Sequence, residues 1–360
     1  WDDTNKLWGV TRYHDIVAIE KDPATFTSSL GYRPNIPGDT SMIGLDDPLH
    51  TKRRRLVSRR FTPRAAHEYE DEIRSVVTRL IDAVAPIGEC EVVQDLAAPL
   101  PAMMIGWLLG FEDELWPKLR DWSETTIAAG GGPRYMKDEV AEAFGEFCVH
   151  AAALAETKRA QPGDDCMTVW TKAEIDGCPL DEGDIISESL LLLDGGAETT
   201  RNVIGTTILL LSQHPDQRQV LIDDPSLIPN AVEEFIRYVT PILNMRRTAT
   251  RDVEFGGQRI REGDELLLMY SSANRDEAVF DDPQRFDVTR THNNHIAFGF
   301  GTHFCLGASL ARLELRVFFE ELLRRLPDIA PAPGVTPEFV PGAFVRGLRA
   351  LPAVFTPETT

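Results

Sequence analysis

The chain has 360 residues, 42% of them hydrophobic, and a formal charge of −20 from 57 acidic and 37 basic side chains. That length and apolar content suffice for a large core, and the acidic balance excludes nucleic acid and anionic membrane as principal partners. Five scattered cysteines (Cys90, Cys148, Cys166, Cys178, Cys305) form no C-x-x-C pair and no zinc-ligand spacing, which fits a reducing cytoplasm better than a disulfide scaffold. With no internal repeat, no low-complexity tract and no linker between composition regimes, one domain over 1–360 is expected. No apolar run is expected to be long enough to span a bilayer. The chain opens abruptly at Trp1, so an absent N-terminal segment is expected as well.

In chain order, residues 7–11 read as a short strand and 15–19 as a helix. Residues 31–44 are rich in Gly and Pro and predict an irregular loop, in which Met42 and Ile43 either pack the loop or face a ligand. A helix follows, ended by Pro63, with His50, Arg54, Val57 and Phe61 on one face. Lys52, Arg53, Arg55, Arg59 and Arg60 occupy much of the rest. Such a run is either a solvated face or, in so acidic a protein, a docking patch for an acidic partner. Residues 65–160 predict successive amphipathic helices. Of these, 96–110 is apolar nearly all round and should be buried. The break Gly130-Gly131-Gly132 suits either a lid over a pocket or an ordinary connection.

Asp181 and Glu182 start the longest helical pattern, which His214-Pro215 closes. About 32 residues at 1.5 Å each give a rod of roughly 48 Å. Its middle, Asp194-Gly195-Gly196-Ala197-Glu198-Thr199-Thr200, carries two glycines that cost about 1 kcal/mol each in a helix interior. A kink with a paired acid is one reading of it. In the helix over 231–238, Glu234 and Arg237 are spaced to face each other. Strands then follow at 247–250, 253–255, 258–260 and 266–270, with a turn at Gly256-Gly257. Residues 344–345 and 351–355 predict a terminal hairpin whose turn reaches a pocket.

The run Phe298-Gly299-Phe300-Gly301-Thr302-His303-Phe304-Cys305-Leu306-Gly307 precedes a helix over 308–326. A thiol at a helix N-terminus is favoured as thiolate, and a thiolate in a glycine-rich loop can ligate a haem iron. Alone, Cys305 also reads as a small buried hydrophobe. The Gly-x-Gly alone would suggest phosphate, but no Val/Ile strand precedes it. The ten-residue pattern Phe-Gly-x-Gly-x-His-x-Cys-x-Gly resembles the haem-binding loop of the cytochrome P450 family.

That resemblance implies a mainly α fold with a smaller β region, a triangular helical prism holding haem b between the long central helix and the cysteine-loop helix. It makes Cys305 the iron ligand and puts Phe298, Gly299 and Gly307 against the cofactor. It gives His50, Arg54, Arg247 and His303 to the haem propionates. Gly195, Gly196, Glu198 and Thr199 match the family's oxygen pocket, with Glu198 replacing the commoner Asp and Gly195 a common Ala. Glu234, Arg237 and Arg285 match a structural triad. The implied function is a haem-thiolate monooxygenase that uses dioxygen to hydroxylate a hydrophobic small molecule, with Thr199 and Glu198 delivering protons. Framework segments resemble actinobacterial hydroxylases of sterol or branched-lipid side chains. A terpenoid, fatty acid or aromatic substrate, and a haem protein that binds ligand without turnover, are the alternatives. A ferredoxin-type donor with its reductase, docking on the basic helix, is the expected partner, in the cytoplasm.

Overall fold

The computed structural model describes residues 1–358. Its axis is the helix Glu182–Gln213, 32 residues long. Asp181 caps it by accepting the Asp184 amide at 2.7 Å, and His214 ends it. The helix is continuous through Gly195 and Gly196. Around it pack Pro99–Leu109, Trp116–Ile127, Asp138–Ala160, Ile228–Val239 and Ala308–Arg325. Its apolar residues, among them Leu193, Val203, Ile204, Ile208 and Leu211, are therefore buried on several sides. Each such side chain contributes roughly 1.5–3 kcal/mol of burial free energy.

Small sheets flank the helices. The largest orders its strands Leu7–Val10, Glu265–Leu268, Met245–Ala249, Phe26–Thr27; the first pair is parallel and the others antiparallel. A two-stranded ribbon pairs Val253–Phe255 with Gln258–Ile260. Its turn needs Gly256 and Gly257 because both hold positive φ, 58° and 74°.

Three expectations need correction. Val92–Leu109 has a mean hydropathy of 1.4 over 18 residues and does pass as a membrane span by length and composition. However, 78% of that stretch is buried within the fold, so core packing explains its apolarity. Pro63 does not end the basic helix, which runs Leu49–Val57 and continues as a turn of 3-10 helix at Ser58–Phe61. Pro63 opens the next helix, Pro63–His67, because its missing N–H costs nothing there and Thr62 caps it. The terminal hairpin pairs Glu338–Phe339 with Leu348–Ala350, whereas Pro352–Val354 joins Glu89–Glu91 and Ala330–Pro331. Within the Gly130-Gly131-Gly132 break, Gly130 serves close approach: a Cβ there would lie 2.3 Å from Phe344 Cδ1.

Candidate active site

One large cavity lies between the central helix and the cysteine loop, with an empty volume of about 1610 Å³, part of it open to solvent. Its wall is largely apolar, with Ile105, Ile127, Leu191, Leu192, Val203, Ile236, Leu310 and Phe344 among the lining residues. Met42 and Ile43 also line it, so they face the cavity as well as packing the loop.

The cysteine loop forms the floor. The Cys305 amide donates to the Phe298 carbonyl at 2.9 Å and closes the loop. Gly299 and Gly301 hold φ of 70° and 66°, which the reversal requires. A Cβ at Gly301 would also strike the Glu20 carbonyl at 2.5 Å. Among the described residues Cys305 is the one cysteine that lines the cavity. Cys166 is also buried, but it belongs to the helical core. Burial pushes the Cys305 thiol up, while the Gly307 amide, Arg54 and Arg312 pull it down. The expected bias toward thiolate is thus outweighed by desolvation within the polypeptide alone.

The roof is the centre of the long helix. A Cβ at Gly195 or at Gly307 would meet nothing within 4 Å, so both backbones present open faces to the cavity. Gly196 differs, because its missing Cβ is replaced by Ile105, whose Cδ1 would lie 2.9 Å away. Gly196 lets the helix Pro99–Leu109 close on the central helix. Thr199 lines the cavity and donates its hydroxyl to the Gly195 carbonyl at 2.8 Å. Glu198 is buried and turned elsewhere, into a smaller cavity shared with Arg201, Glu124 and Asn202. Arg201 Nη1 is 3.3 Å from Glu198 and 2.9 Å from Glu124. Burial pushes Glu198 up to about 7 against the pull of Arg201.

His50, Arg54, Arg247 and His303 all line one rim of the cavity. The His50 and His303 rings are 4.3 Å apart, and His303 Nε2 is 3.3 Å from Ser28 Oγ. Burial, with Arg247, His50 and Arg54 close by, pushes His303 down to about 2. His50 Nδ1 is buried without a hydrogen-bond partner. A rim with two arginines and two histidine rings, His50 Nδ1 among them without a partner, suits a dianionic group, because two carboxylates would accept from these donors. The floor thiol, the two open glycine faces and this rim together fit an iron porphyrin with its propionates at the rim.

Several neighbours were not foreseen from the sequence. Glu20 enters the rim: its Oε1 accepts from the Tyr270 hydroxyl at 2.7 Å and lies 3.4 Å from Arg247. Nothing in residues 13–20 distinguishes it from a surface glutamate. In the triad, Glu234 and Arg237 form a fully buried two-pronged pair with both contacts at 2.7 Å. The third side chain is Arg290, at 3.2 Å from Glu234. Arg285 supplies only its carbonyl, and its side chain is exposed; the run Arg285-Phe286-Asp287-Val288-Thr289-Arg290 offered both arginines. The basic patch is also smaller than expected. Arg53 is buried against Asp184 and Glu188, Lys52 pairs with Asp176 at 2.5 Å, and Arg60 with Asp164 at 2.6 Å. Arg55 and Arg59 are the remaining exposed cations of that run.

Comparison with known proteins agrees with this geometry. A family model described as Cytochrome P450 matches residues 150–345. The chain is 41% identical to a steroid C26-monooxygenase of Mycolicibacterium smegmatis over 360 residues, 99% of this chain and 89% of that protein. It is 40% identical to a linalool 8-monooxygenase of Pseudomonas putida, over 90% of this chain and 84% of that protein. Among solved structures it resembles a Mycobacterium marinum cytochrome P450 in complex with pseudoionone. The TM-score is 0.91 and the identity 36%, covering 99% of this chain and 89% of the other.

Proposed function

The chain belongs to the cytochrome P450 family and is a haem-dependent monooxygenase, and we propose that its substrate is a sterol or a branched lipid oxidised on its side chain. The largely apolar wall of the cavity carries that reading, together with the likeness to a steroid C26-monooxygenase. A terpenoid is the second reading, favoured by the likeness to a linalool 8-monooxygenase. Residues 1–360 are read as one P450 domain, supported by relatives that align over nearly the whole chain, and the protein is read as acting in the cytoplasm.

When bound, haem supplies dioxygen activation and the oxidation of the substrate C–H bond. In our reading Cys305 would be its iron ligand, Phe298, Gly299 and Gly307 would hold the loop against it, and His50, Arg54, Arg247 and His303 would hold its propionates. Gly195, with open space where a Cβ would stand, would leave room for it at the central helix. The apolar wall orients the substrate and excludes water. Thr199 holds a proton at its hydroxyl where it borders the cavity, and rotation away from the Gly195 carbonyl would present it inward. Glu198, pushed up to about 7, can exchange a proton near neutral pH. Arg201 and the half-exposed Glu124 link it towards solvent. Electrons come from an acidic ferredoxin-type donor and its reductase. Its docking surface is read as the exposed Arg55 and Arg59.

The test is a substrate panel of sterols, branched lipids, terpenoids, straight-chain fatty acids and aromatic compounds. Haem absorbance shifts would be followed by product analysis with a surrogate ferredoxin system. A terminally hydroxylated sterol or branched-lipid product is expected. Turnover confined to aromatic or straight-chain substrates would reject the substrate assignment.

A further inference from the structure

Charged residues that the proposed chemistry does not use interrupt the apolar cavity wall, Asp194, Arg33 and Glu314 among them. Asp194 lies immediately before Gly195 on the central helix and is 4% exposed. Its Oδ1 is 2.7 Å from the Thr126 hydroxyl. That hydroxyl also lies 2.8 Å from the Trp122 carbonyl, and its single proton can serve only one of the two acceptors. No protein donor reaches Asp194 Oδ2 among the described residues. Burial pushes the carboxyl up to about 7, and Arg33 is near enough for its charge to pull against that shift.

Arg33 comes from the loop over 28–41 and lines the same cavity. Its guanidinium is stacked over the Tyr32 and Phe344 rings, 5.1 and 5.0 Å from their centroids. Its Nε is buried without a hydrogen-bond partner, and no salt bridge joins it to Asp194. The wall thus offers an acceptor on one element and a donor on another, both held by packing and both incompletely paired. Leaving buried polar groups in that condition is costly. A group that both donates and accepts would satisfy the two at once. A carboxylate would suit Arg33 but be repelled by ionised Asp194, and a hydrocarbon would satisfy neither.

We propose that Asp194 and Arg33 form a polar clamp that selects an apolar substrate bearing a hydroxyl, which donates to Asp194 and accepts from Arg33. This rests on the monooxygenase reading of the same cavity and narrows its substrate class to alcohols.

The test is equilibrium binding to the haem-loaded protein, read from absorbance shifts, with matched pairs that differ only by the hydroxyl: menthol against menthane, and cyclododecanol against cyclododecane. For each pair the ratio of hydrocarbon to alcohol dissociation constants is measured in wild type, Asp194→Asn, Asp194→Leu and Arg33→Met. A hydrogen bond to a charged group predicts that Asp194→Leu and Arg33→Met each lower this ratio about tenfold or more, with Asp194→Asn between them and wild type. Arg33→Met alters a loop residue, so its result stands even where a central-helix variant folds poorly. Ratios unchanged in Arg33→Met and in every Asp194 variant that folds would overturn the clamp, while hydrocarbon-induced shifts and the thiolate-type carbon monoxide band would leave the monooxygenase reading intact. Absence of that band in wild type would overturn both.

Discussion

His50 and His303 face each other with ring centroids 4.3 Å apart, and Arg54 and Arg247 flank them on the same cavity rim. The groups come from three separated parts of the chain, and within the polypeptide the buried His50 Nδ1 has no hydrogen-bond partner. An anionic cofactor provides one. Arg54→Ala and Arg247→Ala should each weaken haem retention by about 1.5–3 kcal/mol. Haem transfer to an acceptor apoprotein should accelerate about tenfold or more, and equal transfer rates would remove these residues from the propionate site.

The Glu234–Arg237 pair is fully buried, and Arg237 also donates to the carbonyls of Asn274 and Pro283 at 2.8 and 2.9 Å. Removing either partner strands a buried charge, at a cost of about 3–5 kcal/mol. Arg237→Ala should therefore lower the unfolding midpoint sharply, and Arg290→Ala less. Arg285→Ala should stay within about 0.5 kcal/mol, as an exposed side chain does. Denaturant unfolding orders the three.

Glu188 is buried next to Arg53, and burial pushes its carboxyl up to about 8. The folded state then holds a proton that the unfolded chain, titrating near ~4.3, releases. Stability from this group is present at low pH and is lost as pH rises from the unfolded value through about 8. Glu188→Gln should flatten that fall, so its gain over wild type is larger at the alkaline end than at the acidic end. Thermal unfolding across that window checks it, and parallel curves would contradict it.

Thr199→Ala removes the hydroxyl at the cavity edge. Consumption of reducing equivalents should continue while product falls and hydrogen peroxide rises. Glu198→Gln should slow turnover and enlarge the solvent isotope effect, because its exchangeable proton is gone. Unchanged coupling in both variants would take the pair out of proton delivery.

Charge reversal at Arg55 and Arg59 should slow reduction by an acidic ferredoxin and flatten its salt dependence, since exposed charges act over about a Debye length. Arg53→Glu tests a different property. It should destabilise the fold, because Arg53 is buried against Asp184 and Glu188. If Arg53→Glu folds normally and it alone impairs reduction, the docking surface lies elsewhere.

Much of this was legible in the sequence where local pattern and burial agree. The central helix runs from its predicted acidic cap to His214 because its apolar residues face neighbours on several sides. The cysteine loop was legible because Gly299, Gly301, His303 and Cys305 occupy fixed positions within ten residues. What failed was pairing at long range. Arg53 looked solvent-facing because Asp184 lies 131 residues away, and Glu20 meets Arg247 at a separation of 227. Arg290 rather than Arg285 completes the buried triad, a choice made by tertiary packing that the run 285–290 does not encode locally. The hydropathy of Val92–Leu109 reads equally as core and as membrane span until its neighbours are known.

The central claim is that Cys305 is the iron ligand. The direct measurement is the absorbance of the reduced protein under carbon monoxide, in wild type, Cys305→Ser and Cys166→Ser. Wild type and Cys166→Ser should both show the red-shifted Soret band of thiolate ligation, and Cys305→Ser should lose it. An unshifted band in wild type, or its loss in Cys166→Ser with retention in Cys305→Ser, would contradict the claim.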